Sequence, residues 1–378
     1  MPFCSLSTVN FRNLDNSTID LFAREVFFTG ENGQGKSNLL EALYFSSYGS
    51  SFRTHIDGEM IRKGEAGMSV RTLYKGEEDE GHTSFISLEG GKKKMERDGK
   101  IVRDRKDLVS AMPCVLYSHD DLDFAKGSPE RKRFFIDQTL SMYDVLYIDL
   151  SRRYRRVLKS RNLCLKDKNF SLLDSYDLQL VQNGLEIQKR RKMAIFKFRG
   201  IFSRLYEEVS GLSGVTIRYI PSWKKTQGDS AEEGLLADAN LPSMDDVMAR
   251  LRDMRQVDSK LGTTMSGPHR DRIEFEKDGQ PFIPGASMGQ RRLVALVLRT
   301  AQAAYFTEET RRKPVLLMDD VLLELDPGKR ERMTALLPDY EQLFCTFLPG
   351  EPWRNYVHSA TKVYEIQAGR WSLTNSPT

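Results

Sequence analysis

The residues that decide the fold are Phe27-Phe28-Thr29-Gly30-Glu31-Asn32-Gly33-Gln34-Gly35-Lys36-Ser37-Asn38-Leu39-Leu40-Glu41-Ala42-Leu43. The apolar start indicates a short strand, and an amphipathic helix pattern begins near Lys36. Between them, Gly30 and Gly35-Lys36-Ser37 have the spacing of a phosphate-binding loop. Glycines let backbone N–H groups turn toward a phosphate, and the N-terminus of the next helix adds partial positive charge. A chance glycine turn would lack the flanking strand and helix, so this stretch predicts a nucleoside triphosphate site.

A strand that ends in two acidic residues, in the C-terminal part of the chain, supplies the other half of such a site. Val315-Leu316-Leu317-Met318-Asp319-Asp320 reads as an apolar strand that ends in two carboxylates, the pattern of a Walker B element. Lys36 is expected to reach the β- and γ-phosphates, and the Ser37 hydroxyl to bind Mg²⁺. Asp319 is expected to hold the same Mg²⁺, and Asp320 to polarise the attacking water. We therefore predict a site for ATP and Mg²⁺ with Lys36, Asp319 and Asp320 as its catalytic residues.

The order of the elements indicates the class of ATPase. Asp319 follows Lys36 by 283 residues, whereas both motifs lie within roughly a hundred residues in compact P-loop domains. Ser287-Met288-Gly289-Gln290 begins a long helix with a Ser N-cap, and Leu323-Glu324-Leu325-Asp326-Pro327 follows the acidic strand. P-loop, signature helix, Walker B and D-loop in this order predict the head of an ATP-binding cassette (ABC) protein.

The helix that begins after Ser287 offers a second phosphate site, because its first N–H groups have no partner within the helix. One monomer cannot easily bring two helix N-termini to one γ-phosphate. A second molecule that presents this N-terminus would resolve the difficulty and would place ATP between two chains. A plain helix cap without ligand is the alternative, and this stretch alone does not decide between them.

The composition restricts the remaining possibilities. The chain of 378 residues is 39% hydrophobic and 29% charged, with a net charge of +4. It contains neither a secretory signal pattern nor 18 successive apolar residues, so we expect a cytoplasmic protein that does not bind membranes. Its cysteines and histidines lack metal-binding spacing. Basic clusters between residues 128 and 210 suit sequence-independent contacts to nucleic acid phosphates, although a solvated helix face is the alternative for each and no single arginine is identified.

The pattern along the chain predicts an α/β fold with a mixed sheet, an antiparallel β lobe and an inserted helical domain. Alternating strands and tight turns occupy residues 67–104, and helices residues 128–210. A mobile loop is expected at residues 224–246 and a short helix at 244–259. The predicted domains are the N-terminal half of the ATPase head at 1–124, a basic helical insertion at 125–262, and the C-terminal half of the head at 263–378.

Several stretches outside the common ATPase motifs resemble one family. The chain resembles the RecF family of bacterial DNA replication and repair proteins, whose heads are similar to those of SMC proteins. The matching stretches are Asn10-Phe11-Arg12-Asn13-Leu14, Ser51-Phe52-Arg53-Thr54, Lys126-Gly127-Ser128-Pro129, Ser266-Gly267-Pro268-His269-Arg270-Asp271 and Ser287-Met288-Gly289-Gln290.

This resemblance implies the remaining site residues and the partners. The implied ligands of ATP are Arg12, Asn13, Gly30, Glu31, Asn32, Gly33, Gln34, Gly35, Lys36, Ser37, Ser287, Gly289, Gln290 and Asp326. Ser287, Gly289 and Gln290 would serve the ATP of the partner chain. The family is implied to form an ATP-dependent homodimer that binds double-stranded DNA and hydrolyses ATP slowly. With the mediators RecO and RecR, it would help load the recombinase RecA at gaps during recombinational repair, replication restart and the SOS response.

Two other functions are consistent with parts of the sequence. The ATPase subunit of an ABC transporter would have a short helical insertion and a histidine after the strand that follows Walker B. Here the insertion is long, and Cys345-Thr346 is followed by Phe347-Leu348-Pro349 without that histidine. A scaffold that binds ATP without hydrolysing it would require Asp319 and Asp320 to be inert.

Overall fold

The computed structural model describes residues 2–76, 78–224, 241–321 and 325–374. The chain divides into two compact units. Unit 1 consists of Met1–Asp121 and Leu298–Thr378, and unit 2 of Leu122–Val297. The division inferred from the sequence, with an insertion at residues 125–262, stays a prediction.

The described residues form fifteen strands, which are numbered in chain order. They are β1 (Phe3–Val9), β2 (Thr18–Asp20), β3 (Glu25–Thr29), β4 (Gly67–Lys75), β5 (Gly81–Glu89), β6 (Lys92–Arg97), β7 (Lys100–Ile101), β8 (Cys114–Tyr117), β9 (Val215–Ile220), β10 (Arg272–Lys277), β11 (Gln280–Pro281), β12 (Val315–Met318), β13 (Gln342–Phe347), β14 (Thr361–Gln367) and β15 (Arg370–Thr374).

The same residues form ten α-helices. They are α1 (Lys36–Tyr48), α2 (Lys106–Val109), α3 (Leu122–Lys126), α4 (Pro129–Ser141), α5 (Val145–Lys166), α6 (Leu173–Ser210), α7 (Met244–Leu261), α8 (Phe282–Gly285), α9 (Met288–Thr310) and α10 (Pro327–Ala335). Among the described residues, no helix has both the length and the apolar character needed to cross a bilayer.

Unit 1 contains two six-stranded sheets. The first has the order β2-β1-β4-β5-β6-β7, and its neighbouring strands are antiparallel. The second has the order β15-β14-β3-β13-β12-β8 and is parallel except for β15. Every residue of β12 and β13 is buried, as expected for central strands of a parallel sheet with both faces covered.

Helix α1 is the centre of unit 1. It contacts β4 and β5 of the first sheet and β8, β12 and β13 of the second. Its side chains Leu39, Leu40, Leu43 and Phe45 are completely buried and belong to one continuous apolar core with residues of both sheets. Because α1 starts directly after the glycine-rich loop, this packing fixes the position of that loop relative to β12.

Unit 2 is mainly helical, with a small antiparallel sheet in the order β11-β10-β9. Helices α5, α6 and α7 pack against one another, and α6 also packs on β9. Ser128 caps α4 and accepts a hydrogen bond from the N–H of Arg131, as the sequence Ser-Pro-Glu predicts. Strands β10 and β11 form a hairpin around Asp278 and Gly279.

Sequence patterns located most elements of both units but missed some. The bounds of β3 and β12 agree with the predicted strands, and α7 extends two residues beyond its predicted end. Neither β9, which lies directly after the long helical region, nor the breaks that divide that region into α4, α5 and α6 were among the predicted elements. Of the predicted mobile loop, residues 225–240 lie outside the described residues.

A buried guanidinium joins three helices of unit 2. Arg161 on α5 is completely buried and donates hydrogen bonds to Asp177 on α6 (2.6 Å) and Asp258 on α7 (2.8 Å). It also donates to the hydroxyl of Thr264 at 2.7 Å. Both carboxylates are fully buried. Asp177 also pairs with Arg255 at 2.7 Å, whereas Asp258 takes its counter-charge from Arg161.

We expect Arg161→Met to destabilise unit 2 by about 3–5 kcal/mol, because it removes the cation paired with the buried Asp258 and leaves the buried Asp177 with Arg255 alone. Urea unfolding followed by far-UV circular dichroism would measure this change. The matched control is Arg204→Met, which removes a solvent-exposed pair with Glu208 and should cost about 0–1 kcal/mol. Equal effects of the two substitutions would contradict the structural role of Arg161.

A neutral histidine lies in the same region of unit 2. The Nδ1 atom of His269 is 2.7 Å from the hydroxyl of Tyr154, and its Nε2 atom is 2.9 Å from the carbonyl of Thr264. The tautomer with hydrogen on Nε2 satisfies both contacts, since Tyr154 then donates to Nδ1. Burial lowers the pKa of His269 to about 4; the hydrogen bond to Thr264 opposes this change, and the nearby cations Arg270, Arg133 and Arg191 contribute to it.

This pKa predicts a pH-dependent stability. Between the unfolded value of about 6.5 and the folded value of about 4, the unfolded chain binds one more proton, so the free energy of unfolding falls as the pH falls. We expect His269 to reduce stability by about 2 kcal/mol at about pH 5 relative to neutral pH. Urea unfolding at both pH values would measure it. His269→Gln, which can keep both hydrogen bonds, should lack this component, and an identical pH dependence in the two proteins would contradict the assignment.

Candidate nucleotide-binding site

The glycine-rich loop between β3 and α1 has a backbone that only glycine adopts easily. Gly30, Gly33 and Gly35 have φ angles of 152°, 78° and 120°. A Cβ atom at Gly30 would lie 2.4 Å from the carbonyl oxygen of Ile366 on β14. Positive φ and close backbone approach thus explain why the loop is glycine-rich.

The turn between β14 and β15 holds the loop from the side. The side-chain oxygen of Gln34 accepts a hydrogen bond from the N–H of Ala368 (2.6 Å), and its carbonyl accepts from Gly369 (2.8 Å). Glu31 and Asn32 are exposed at the tip of the loop. Gln34 therefore positions the loop through its contacts with a turn that is more than 300 residues away in the sequence.

Lys36 folds back over the loop that precedes it. Its Nζ atom donates to the carbonyls of Gly30 (2.8 Å) and Glu31 (3.2 Å), and the residue is 4% exposed. The ammonium group therefore lies inside the curve of the loop, where a phosphate oxygen is able to replace these carbonyls as its partner.

The two sequence motifs meet at the carboxyl edge of the second sheet. The Ser37 hydroxyl donates to Oδ1 of Asp319 at 2.7 Å, although 282 positions separate the two residues. Thr346, at the end of the intervening strand β13, accepts from the N–H of Asp320 at 2.8 Å. Its Oγ1 also lies 2.8 Å from Oδ1 of Asp320 and 3.2 Å from Oδ1 of Asp319. One hydroxyl thus bridges both acids.

These oxygens have the chemistry of a magnesium site. A hydroxyl and a carboxylate oxygen lie 2.7 Å apart at Ser37 and Asp319, and Mg²⁺ prefers such hard ligands together with phosphate oxygens and water. Burial raises the pKa of the Asp319 carboxyl above its ordinary value, and the hydrogen bond from Ser37 offsets only part of this rise. The described residues contain no group of three or more His, Cys, Asp or Glu that could hold a metal by themselves, so the donor set fits an ion shared with a triphosphate.

Asp320 has an unusual backbone. Its φ angle is 53°, in the left-handed region that non-glycine residues seldom adopt. The contacts with Thr346 hold this conformation. Sequence reasoning missed Thr346, although a hydroxyl residue near the end of the strand that follows Walker B was available as a signal.

Arg12 contacts α1 rather than open solvent. It forms a two-pronged ion pair with the fully buried Glu41 (2.8 and 3.0 Å) and donates to the carbonyl of Glu59 at 2.7 Å. Ser51 also donates to Glu41 at 2.5 Å, and Arg53 lies 3.5 Å from it. Glu41 therefore joins the loop before the second strand, α1 and the segment after α1.

A cavity of about 590 Å³ lies beside the loop. Asn13 donates to the carbonyl of Gly33 (3.2 Å) and accepts from Asn38 (2.7 Å). The lining residues are Arg12, Asn13, Asn38, Arg53, Ile61, Arg62 and Lys63. Four of these seven are cationic, so the cavity suits an anionic ligand. Of the seven, only Arg12 and Asn13 were predicted as ligands of ATP.

Asp326 lies in the part of unit 1 that follows residues 322–324, which are outside the described residues. It caps α10, accepts from the N–H of Lys329 (3.0 Å) and pairs with the Lys329 ammonium (2.8 Å). These interactions with Lys329 lower the pKa of Asp326. Its predicted contact with ATP stays a prediction.

The start of α9 belongs to unit 2 and forms a capping box. The Ser287 hydroxyl accepts from the N–H of Gln290 (3.2 Å), and the Gln290 side chain accepts from the N–H of Ser287 (2.8 Å). Apart from its chain neighbours and the backbone of its own helix, no described atom lies within 4 Å of the Cβ position of Gly289. The first turn of α9 is therefore ordered by its own side chains and open next to Gly289.

Sequence and structure comparisons agree with these observations. The family model for the RecF/RecN/SMC N terminal domain matches residues 4–370. The DNA replication and repair protein RecF of Treponema pallidum (strain Nichols) is 45% identical over 368 residues, which cover 96% of this chain and 99% of that protein.

Solved structures show the same fold. The recombination mediator protein RecF with ATP, from the RecFOR pathway, aligns with a TM-score of 0.87 and 26% identity over 99% of this chain and 98% of that one. An Smc head bound to the C-winged helix domain of ScpA aligns with a TM-score of 0.56 and 16% identity over 99% and 98% of the two chains. The predicted α/β fold of an ABC-type ATPase head with an additional helical part is confirmed. By family model, identity and coverage together, this chain belongs to the RecF family of DNA replication and repair proteins.

Proposed function

We propose that this chain is a cytoplasmic, ATP-dependent clamp that binds double-stranded DNA in recombinational repair and replication restart. Two copies would close over two ATP molecules, and slow hydrolysis would open them again. Membership of the RecF family excludes the alternative of a transporter ATPase subunit. The contact between Ser37 and Asp319 carries the proposal, because it places both halves of an ATPase site on one edge of one sheet.

The proposed ATP site uses the loop at residues 30–37. Its inward N–H groups and the N-terminus of α1 would bind the β- and γ-phosphates, and Lys36 would exchange its carbonyl partners for phosphate oxygens. The cationic cavity next to Asn13 and Asn38 would accept the rest of the nucleotide. A relative in the same family has been solved with ATP, which supports this assignment.

Ser37 and Asp319 would hold Mg²⁺, which neutralises charge on the β- and γ-phosphates when it is bound. Asp320 would orient the attacking water and take up its proton. The hydrogen bonds of Thr346 to both acids would keep these two roles on separate side chains.

The proposed dimer uses the N-terminus of α9. Because Ser287 and Gln290 already satisfy each other, the N–H groups next to Gly289 would receive the γ-phosphate held by the second chain. The solved relative is described as part of the RecFOR pathway. We accordingly propose RecO and RecR as partners, with loading of RecA at gaps as the outcome.

Asp320→Asn should reduce the rate of ATP hydrolysis by about 100-fold or more, since it removes the group that accepts the proton. ATP affinity should stay within a few-fold, and the ATP-dependent complex with duplex DNA should last longer. Steady-state hydrolysis, fluorescent ATP binding and DNA dissociation measure these three properties. Unchanged hydrolysis and unchanged DNA retention would contradict the assignment of Asp320 and would favour the scaffold that binds ATP without turnover.

Ser287→Arg should abolish ATP-dependent dimerisation, because a large cation would fill the space that the partner's phosphate requires. ATP binding by the isolated chain should not change, since unit 1 contains the loop. Sedimentation velocity with and without ATP would measure dimerisation. The matched control is Ser243→Arg, which alters the capping box of α7 in the same unit and should leave dimerisation unaffected. Loss of dimerisation in both variants, or in neither, would contradict the proposed interface.

A further inference from the structure

The cations of unit 2 include two groups that the sequence does not distinguish. The first group forms ion pairs within unit 2. Its members are Arg161, Arg190, Arg191 and Arg255, and each pairs with one or more aspartates or glutamates. Two of the four cations at residues 189–192, Arg190 and Arg191, therefore serve the packing of unit 2. The other group lies on the outer face of α5.

Helix α5 has two opposite faces. Its buried residues are Tyr147, Leu150, Tyr154, Val157, Arg161 and Leu165. The opposite face is exposed and carries five cations, which we call the α5 basic stripe: Arg152, Arg155, Arg156, Lys159 and Lys166. At about 100° per residue, these five positions fall within an arc of about 100° centred opposite the buried face.

The stripe has little counter-charge within the protein. Arg152 lies 3.6 Å from Asp149. Among the residues that the structure describes, Arg155, Arg156, Lys159 and Lys166 have no carboxylate within salt-bridge distance. Like charges at three- and four-residue spacing destabilise a helix, so this arrangement is unfavourable until an external anion binds.

The dimensions of the stripe match one class of anion. Fourteen residues separate Arg152 from Lys166, which corresponds to about 21 Å along the helix axis. Over this length each strand of a DNA duplex presents about six phosphates. A compact anion would engage only one or two of these side chains, whereas a duplex backbone engages a linear series.

We propose that the α5 basic stripe binds the phosphate backbone of double-stranded DNA without reading its sequence. This inference rests on the proposed function as a DNA clamp and assigns part of the DNA contact to one helix face of unit 2. The five side chains of the stripe are long flexible cations, which suit contacts to phosphate.

The test compares two triple variants of the full chain. The stripe variant is Arg155→Gln, Arg156→Gln and Lys159→Gln, which keeps helix propensity. The matched control is Arg250→Gln, Arg252→Gln and Lys260→Gln, which removes three exposed cations from α7 in the same unit. Fluorescence anisotropy with ATP would measure the affinity for two duplexes of unrelated sequence, in KCl from about 50 to 200 mM.

The stripe variant should bind both duplexes about tenfold more weakly or worse, and its slope of log K against log salt should shrink by about 2.7, or about 0.9 for each lost phosphate contact. The α7 control should stay within about twofold of the unsubstituted chain, because its cations would lie outside the contact. Unchanged fluorescent ATP binding and circular dichroism would show that the variants are folded. If the triple variant is misfolded, Arg156→Gln with Lys159→Gln replaces it, with an expected change in slope of about 1.8.

The outcomes separate this inference from the proposed function. Suppose that the unsubstituted chain binds duplex DNA with ATP and that the stripe variant has the same affinity as the α7 control. The inference about the α5 basic stripe is then overturned, and the clamp function stands. If only one of the two duplexes is affected, a contact to bases replaces the proposed contact to phosphates. If the unsubstituted chain does not bind duplex DNA with ATP, the proposed function itself fails, and the stripe fails with it.

Discussion

The candidate nucleotide site of unit 1 depends on the meeting of two residues that are far apart in the sequence, Ser37 and Asp319, which are joined by a hydrogen bond. It forms because β3 and β12 lie in the same parallel sheet with only β13 between them. Parallel strands bring their carboxyl ends to one edge, where loops from different parts of the chain meet. Thr346 on the intervening strand then contacts both acids. The position of the site thus follows from strand order and parallel direction.

Unit 2 shows that a basic composition serves two separate purposes. Arg161 and Arg191 are buried and hold helices together through aspartates that lie on other elements. Asp271, in the stretch that resembles the RecF family, accepts from Arg191, Gln188 and Tyr219. These contacts show that Asp271 of this stretch belongs to the buried interior of unit 2. Charged side chains are rarely buried without a partner, and here the partners come from several elements.

Local patterns predicted those features whose physical cause is local. The glycine-rich loop, the Ser128 cap, the β-hairpins and the acid-tipped strand each depend on neighbouring residues, so spacing alone was sufficient. Sequence patterns missed the roles of Thr346, of Glu41 and of the turn at Ala368 and Gly369. These roles come from contacts with residues that are distant in the sequence. Strand β9 was missed because it is short and its partner β10 lies more than fifty residues later. The division of arginines into buried and exposed was likewise hidden, since both kinds occur on the same helices.

The capping box of α9 gives a physical reason for coupling ATP binding to dimerisation. Ser287 and Gln290 hydrogen-bond to each other, so the first turn of α9 keeps its geometry without a ligand. The binding of an anion there would therefore cost little conformational entropy. In the proposed dimer, phosphate oxygens held by one chain would meet this preformed turn on the other. Linkage then requires that ATP strengthen dimerisation by the same factor by which dimerisation strengthens ATP binding. Loss of the γ-phosphate would remove the shared group, so hydrolysis at Asp319 and Asp320 would weaken the dimer without any separate opening device.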